Sequence, residues 1–215
     1  MNKIYGIVFD LDGVIVHTDK YHYKAWKMLA DKEGIYFDEI INNRLRGVSR
    51  EESLKIILEK ATKEYTEQEF SRMLEEKNNY YKELLSEMSP KDVSPMVLKT
   101  LNSLKNKGYK LAIGSSSKNT KFILDKVNLL NFFDAISDGT NIKKSKPDPE
   151  VFLYASNLLN ISPNNLAVVE DAFAGIDAAN EGGFLSIGLG DAYSYEKTNI
   201  KIKEFDQLDE IFEQI

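Results

Sequence analysis

The chain has 215 residues, a formal net charge of -6 and 42% hydrophobic residues, enough to bury one large core or a core carrying an inserted second domain. It contains no cysteine, which excludes disulfides, zinc-thiolate sites and thiol nucleophiles and leaves chemistry to carboxylates, hydroxyls, lysines and two histidines. The acidic balance argues against nucleic acid as a partner, since phosphate backbones need clustered Lys and Arg. No run approaches a membrane span, and the apolar stretch near the start is too short for a signal-peptide core, so the expectation is a cytoplasmic protein away from membranes.

In chain order, the apolar run Ile4 to Phe9 predicts a buried strand that surfaces at Asp10-Leu11-Asp12-Gly13. From Asp19 to about Pro90 the periodicity is helical. Asp19 is expected to cap a helix running to Glu33 and stopping at Gly34, and Ser49 with Glu52 and Thr66 with Glu69 match the capping-box pattern. Three or four helices result, the last ending near Glu87, with Leu54, Ile57, Leu58 and Ala61 at core spacing.

From Ser94 the pattern alternates between helix and strand, which predicts a parallel sheet covered on both faces. A helix opens at Ser94-Pro95 and closes at Gly108. Next come a strand over Lys110–Gly114, a helix through Leu124, a weaker strand at Ala135–Ser137 and a helix opened by Asp148-Pro149. A strand at Leu166–Val169, a helix ending at Gly182-Gly183, a strand over Phe184–Gly188 and a helix after Asp206 complete the chain. The expected fold class is therefore α/β: a doubly wound, Rossmann-like parallel-sheet core from residues 1–16 and 94–215, with an inserted α-helical cap domain over 17–93.

Asp10 and Asp12 lie two positions apart, so an extended backbone would turn both carboxylates to one side. Such a pair suits phosphoryl transfer, one group attacking and the other handling a proton, and it calls for a hard cation such as Mg2+. An Asp-Gly turn explains the segment equally well. A calcium loop fits less well, because Gly13 comes too early. Further polar residues fall at other strand ends: Ser115-Ser116-Ser117-Lys118-Asn119 after the second and Glu170-Asp171 after the fourth, while Lys146 arrives in a lysine-rich loop. In open parallel sheets the ligand crevice lies at this carboxyl edge.

These four motifs, in this order, resemble the haloacid dehalogenase superfamily: a DxD motif, a Ser after the second strand, a Lys, and an acidic pair after a later strand. The resemblance covers the whole chain, including the position of the helical insertion. It implies that Asp10 is the nucleophile and Asp12 the acid–base group, with Lys146 neutralising charge and Ser115 orienting the phosphate. It further implies that one Mg2+ is held by Asp10, the backbone carbonyl of Asp12, Glu170 and Asp171. A simple helix cap at Ser115, a solvated Lys146 and a polar strand end at Glu170 are the rival readings of each residue alone.

The segments Thr18 to Trp26, Arg46 to Ser53 and Ser115 to Asn119 resemble the β-phosphoglucomutase family within that superfamily. That resemblance implies interconversion of β-D-glucose 1-phosphate and glucose 6-phosphate, small sugar phosphates, through an aspartyl phosphate and β-glucose 1,6-bisphosphate; the expected state is a monomer. A mutase needs a second phosphate grip. Arg50, at a helix start, is the candidate, completed by Ser117, Lys118 and Asn119. Gly47 would allow close approach of the sugar, with Val48, Ser49 and Ser53 beside it. His22 and Trp26 share a helix face. By resemblance His22 positions Asp12 and pairs with Lys77, and Trp26 lines the sugar site; the rival readings are a surface helix position, a solvated face and cap core, respectively, while Thr18, where the chain leaves the core, is a candidate hinge or a plain linker residue. The alternatives carried forward are a Mg-dependent sugar-phosphate phosphatase of the same superfamily and a non-catalytic sugar-phosphate sensor.

Overall fold

A computed structural model describes residues 2–45 and 49–214. Gly47 and Val48, two of the expected sugar-site residues, lie outside the described residues. The chain divides into two compact units, Met1–His17 with Ser89–Ile215, and Thr18–Met88. None of the described helices is long and apolar enough to cross a membrane.

The first unit is built on a parallel sheet. Its strands are β1 (Gly6–Phe9), β2 (Lys110–Gly114), β3 (Ala135–Ser137), β4 (Leu166–Glu170), β5 (Leu185–Gly188) and β6 (Ile200–Lys201), in the spatial order β3-β2-β1-β4-β5-β6. All four residues of β1 are buried, as expected for a central parallel strand sandwiched between helices. Successive side chains serve opposite layers. Val8 joins Val151, Phe152, Ala155, Ala178 and Ala179, from the helices α7 (Glu150–Leu159) and α8 (Phe173–Glu181). Phe9 meets the rings of Phe133 and Phe205. Three more helices belong to this unit: α5 (Pro95–Asn106), α6 (Thr120–Lys126) and α9 (Gln207–Gln214).

The second unit is helical: α1 (Asp19–Glu33), α2 (Glu39–Asn43), α3 (Arg50–Leu58) and α4 (Glu67–Leu85). Its core gathers Trp26, Leu29, Ala30, Leu54, Ile57 and Met73, with Leu58 and Ala61 packed partly buried against it. Thr66 opens α4 with a complete capping box: its Oγ1 accepts the Glu69 N–H at 3.2 Å, and the Glu69 carboxylate accepts the Thr66 N–H at 2.9 Å. Three details differ from the sequence reading. Asp19 is the first helical residue rather than the cap, which is Thr18, so its charge acts on the helix dipole. The last helix of this unit ends at Leu85, short of Glu87. The short elements α2 and β6 carry too few residues to show a period.

Candidate active site

The sheet order places β1 between β2 and β4, so the chain reverses its winding direction there. A crevice opens at the carboxyl ends of strands flanking such a switch point. Asp10 follows β1, with its N–H still bonded to the Val169 carbonyl of the neighbouring strand at 2.9 Å. Glu170 ends β4 and Asp171 follows it. Parallel register brings them level: Phe9 lies opposite Val169. Carboxylate oxygens of Asp10, Glu170 and Asp171 lie within 4.8 Å of one another.

Two glycines make the approach possible. At Gly13, φ is +84° and a Cβ would fall 2.1 Å from an Asp171 carboxylate oxygen; at Gly175 a Cβ would fall 1.9 Å from the Glu170 carboxyl carbon. Beyond Asp10 the chain turns, the Gly13 N–H bonding the Val16 carbonyl at 2.7 Å. The Asp12 carboxylate is not a member of the three-residue cluster.

Lys146 completes the group. Its ammonium donates to Asp10 at 2.5 Å and also to Glu170, and it sits 4.7 Å from the centre of the Phe152 ring. Glu170 is fixed from its other oxygen by the N–H groups of Asp171 and Ala172, at 2.9 and 3.0 Å. The charges do not balance, since three carboxylates face one ammonium. Burial opposes the Lys146 charge, but Asp10 and Glu170 outweigh it and hold the ammonium far above its ordinary pKa. Burial, reinforced by Asp10 and opposed by Lys146, raises the Glu170 carboxyl. Burial together with the charges of Glu170 and Asp10 pushes Asp171 up to about 8. Clustered hard oxygen donors with surplus negative charge fit a divalent cation such as Mg2+.

After β2 the chain forms a tight polar loop. Ser115 is buried, its hydroxyl accepting the Ser117 N–H at 3.2 Å, and the Ser117 hydroxyl accepts the Asn119 N–H at 3.2 Å. Lys118 is exposed and Asn119 buried. The Lys146 N–H reaches the Ser116 hydroxyl at 3.4 Å, linking this loop to the lysine loop. Ser116 was not singled out from sequence, where nothing separated it from the serines on either side.

A separate polar cluster lies inside the helical unit. Lys77 is 2% exposed and its ammonium donates to His22 Nδ1 at 2.9 Å. It also lies 4.8 Å from the Trp26 ring centre and 4.6 Å from that of Tyr81, a cation–π setting. Tyr81 stacks on His22 at 4.0 Å and donates from its hydroxyl to Thr18 at 3.2 Å. Burial, with the charges of Lys77 and Arg50, holds the His22 imidazole well below its ordinary pKa and therefore neutral. Trp26 belongs to the core of this unit, and Ser53 is buried. Ser49 caps α3 through the Glu52 N–H at 3.1 Å. Arg50 is half-buried, and this burial lowers its pKa against the opposing charges of Tyr81 and Glu51. Tyr81 was missed from sequence, although its place four residues after Lys77 marks a shared helix face.

An α/β sheet with clustered carboxylates and a lysine at its switch point defines a phosphoryl-transfer class of protein. The chain belongs to the haloacid dehalogenase-like hydrolase family, whose model matches residues 7–189. It is 42% identical to β-phosphoglucomutase of Bacillus subtilis, over 86% of this chain and 83% of that protein. The crystal structure of β-phosphoglucomutase from Clostridium difficile superposes with a TM-score of 0.87 at 41% identity, covering 98% of this chain and 96% of that one. A phosphorylated carbohydrates phosphatase of Thermotoga maritima is 32% identical over 83% of this chain and 81% of its own length.

Proposed function

We propose that the protein is a β-phosphoglucomutase, interconverting β-D-glucose 1-phosphate and D-glucose 6-phosphate through β-glucose 1,6-bisphosphate in the cytoplasm. The observation that carries the chemistry is the Lys146 ammonium shared between Asp10 and Glu170 at the switch point. Among the reactions such a site performs, a sugar-phosphate mutase is favoured by the relatives of 42% and 41% identity, both β-phosphoglucomutases, over the phosphatase at 32%.

In this reading an Asp10 carboxylate oxygen attacks phosphorus, forming a new O–P bond while the bond from phosphorus to the sugar oxygen breaks. Asp12 gives its proton to the departing sugar oxygen and takes one back when the other hydroxyl of the sugar attacks the aspartyl phosphate. Lys146 and the Ser115–Asn119 loop, Ser115 foremost, neutralise and orient the phosphoryl oxygens. Asp10, Glu170 and Asp171, with the Asp12 carbonyl, would hold Mg2+, which supplies charge neutralisation at the transferring group. Arg50, a half-buried cation at a helix start, is the residue assigned to the phosphate that is not reacting, and Ser117, Lys118 and Asn119 are assigned to substrate binding. The His22, Lys77, Tyr81 and Thr18 chain links the helical unit's polar cluster to its first residue, where a hinge would act.

Purified protein given β-glucose 1-phosphate, Mg2+ and a trace of β-glucose 1,6-bisphosphate is expected to yield glucose 6-phosphate, and Asp10→Asn to abolish both turnover and covalently bound phosphate. Inorganic phosphate as the main product would overturn the reading in favour of a sugar-phosphate phosphatase, the activity in the name of the Thermotoga maritima relative. In that case Arg50→Ala would leave turnover unchanged, whereas the mutase reading requires a rise in KM of roughly tenfold or more for loss of a charged phosphate contact.

A further inference from the structure

The segment Lys143-Lys144-Ser145-Lys146 carries three lysines, yet only the last turns inward; Lys143 and Lys144 are exposed. Strand alternation does not explain this choice, because 144 and 146 would then face the same way. The course of the loop is set by its backbone. The Glu150 carboxylate, at the start of α7, reaches back to accept the Lys143 N–H at 3.1 Å on both oxygens and the Lys144 N–H at 2.8 Å. Between these anchors the Asp148 N–H closes a turn on the Ser145 carbonyl at 3.1 Å, and the Asp148 carboxylate accepts the Glu150 N–H at 3.0 Å. Two residues further along the same helix, Phe152 places its ring 4.7 Å from the Lys146 ammonium. A glutamate in a first helical turn is ordinarily accounted for by the dipole. Here its carboxylate is committed to the preceding loop.

We infer that Glu150 is a positioning residue for Lys146: by clamping the backbone of residues 143 and 144, it fixes the loop in the course that delivers the ammonium to Asp10. The inference rests on the reading of Lys146 as the charge-neutralising group of phosphoryl transfer. Glu150 itself touches no reacting atom, so its contribution passes entirely through the lysine.

A double-mutant cycle tests this, with single-turnover phosphorylation of Asp10 by β-glucose 1,6-bisphosphate and Mg2+ as the readout. Glu150→Ala is expected to slow that step about 10- to 100-fold, as misplacement of a positioned group by an ångström does, with KM changed far less. Glu150→Gln, which keeps one acceptor, should fall between, and it serves as the test variant if the alanine form folds poorly. In a Lys146→Ala background neither change should slow the step more than about twofold further, because the group being positioned is gone. Equal losses in both backgrounds, or no loss in the parent protein, would overturn the inference. A Lys146→Ala protein that phosphorylates as fast as the parent would instead refute the reading of Lys146, and the clamp's role with it.

Discussion

At the residue scale, two lysines largely enclosed by the fold sit in different polar surroundings. Lys146 is held by carboxylates, and burial first, then the negative charge of their neighbours, raises the proton affinities of Glu170 and Asp171 beside it. Around Lys77 stand two aromatic faces and the neutral His22 imidazole, whose Nδ1 lies 2.9 Å from the Lys77 nitrogen. The second arrangement makes His22 sensitive to acid. Its folded pKa lies below its unfolded value of 6.5, so between the two the unfolded chain binds a proton that the folded chain does not. Its contribution to stability is therefore complete above pH 6.5 and falls as the pH drops below it. Urea midpoints measured from pH 8 to 5 should decline more steeply for the parent than for His22→Gln; parallel declines would exclude the buried neutral imidazole. The residue types at both clusters were legible in the sequence. The family resemblance singled out Lys146 and Lys77, whereas residue type alone did not separate Lys146 from Lys143 and Lys144, which only the folded loop turns outward.

At the scale of elements, the boundaries that sequence resolved best are those with side-chain chemistry at the end. Thr66 with Glu69 is a pattern in four residues and forms the full reciprocal box at the head of α4. That helix carries Lys77 and Tyr81, so its start matters to the polar cluster. Thr66→Ala should cost about 1 kcal/mol, the usual loss for an N-cap, read as a lower urea midpoint at unchanged m-value. No measurable change would mean that tertiary packing alone holds the helix end. The strands β2 and β3 were visible as bounded apolar runs. By contrast α2 and β6 were not, since five and two residues cannot display a periodicity.

At the scale of the whole molecule, the β1/β4 switch point collects residues from opposite ends of the chain into one acidic cluster, and this has a thermodynamic signature. Mg2+ at a hundredfold excess over its Kd should stabilise the folded protein by about 2.7 kcal/mol, a rise in Tm of roughly 5–10 °C for a chain of this size. Asp171→Asn should lose most of that rise, while without metal it should melt no lower than the parent, because a carboxyl whose charge is disfavoured by burial and by its acidic neighbours has been removed. Melting curves with Mg2+ and with a chelator separate these outcomes; a full Mg2+ response in the variant would exclude Asp171 as a ligand. The sequence by itself determined the alternation of helix and strand and the chemical types at each strand end, because periodicity, capping and turn residues act over a few positions. Tertiary structure alone decided which of those residues meet. Asp10, Lys146 and Glu170 become neighbours through parallel register and the reversal of winding at β1, and the Glu150 clamp exists only once a helix and the loop before it have folded together.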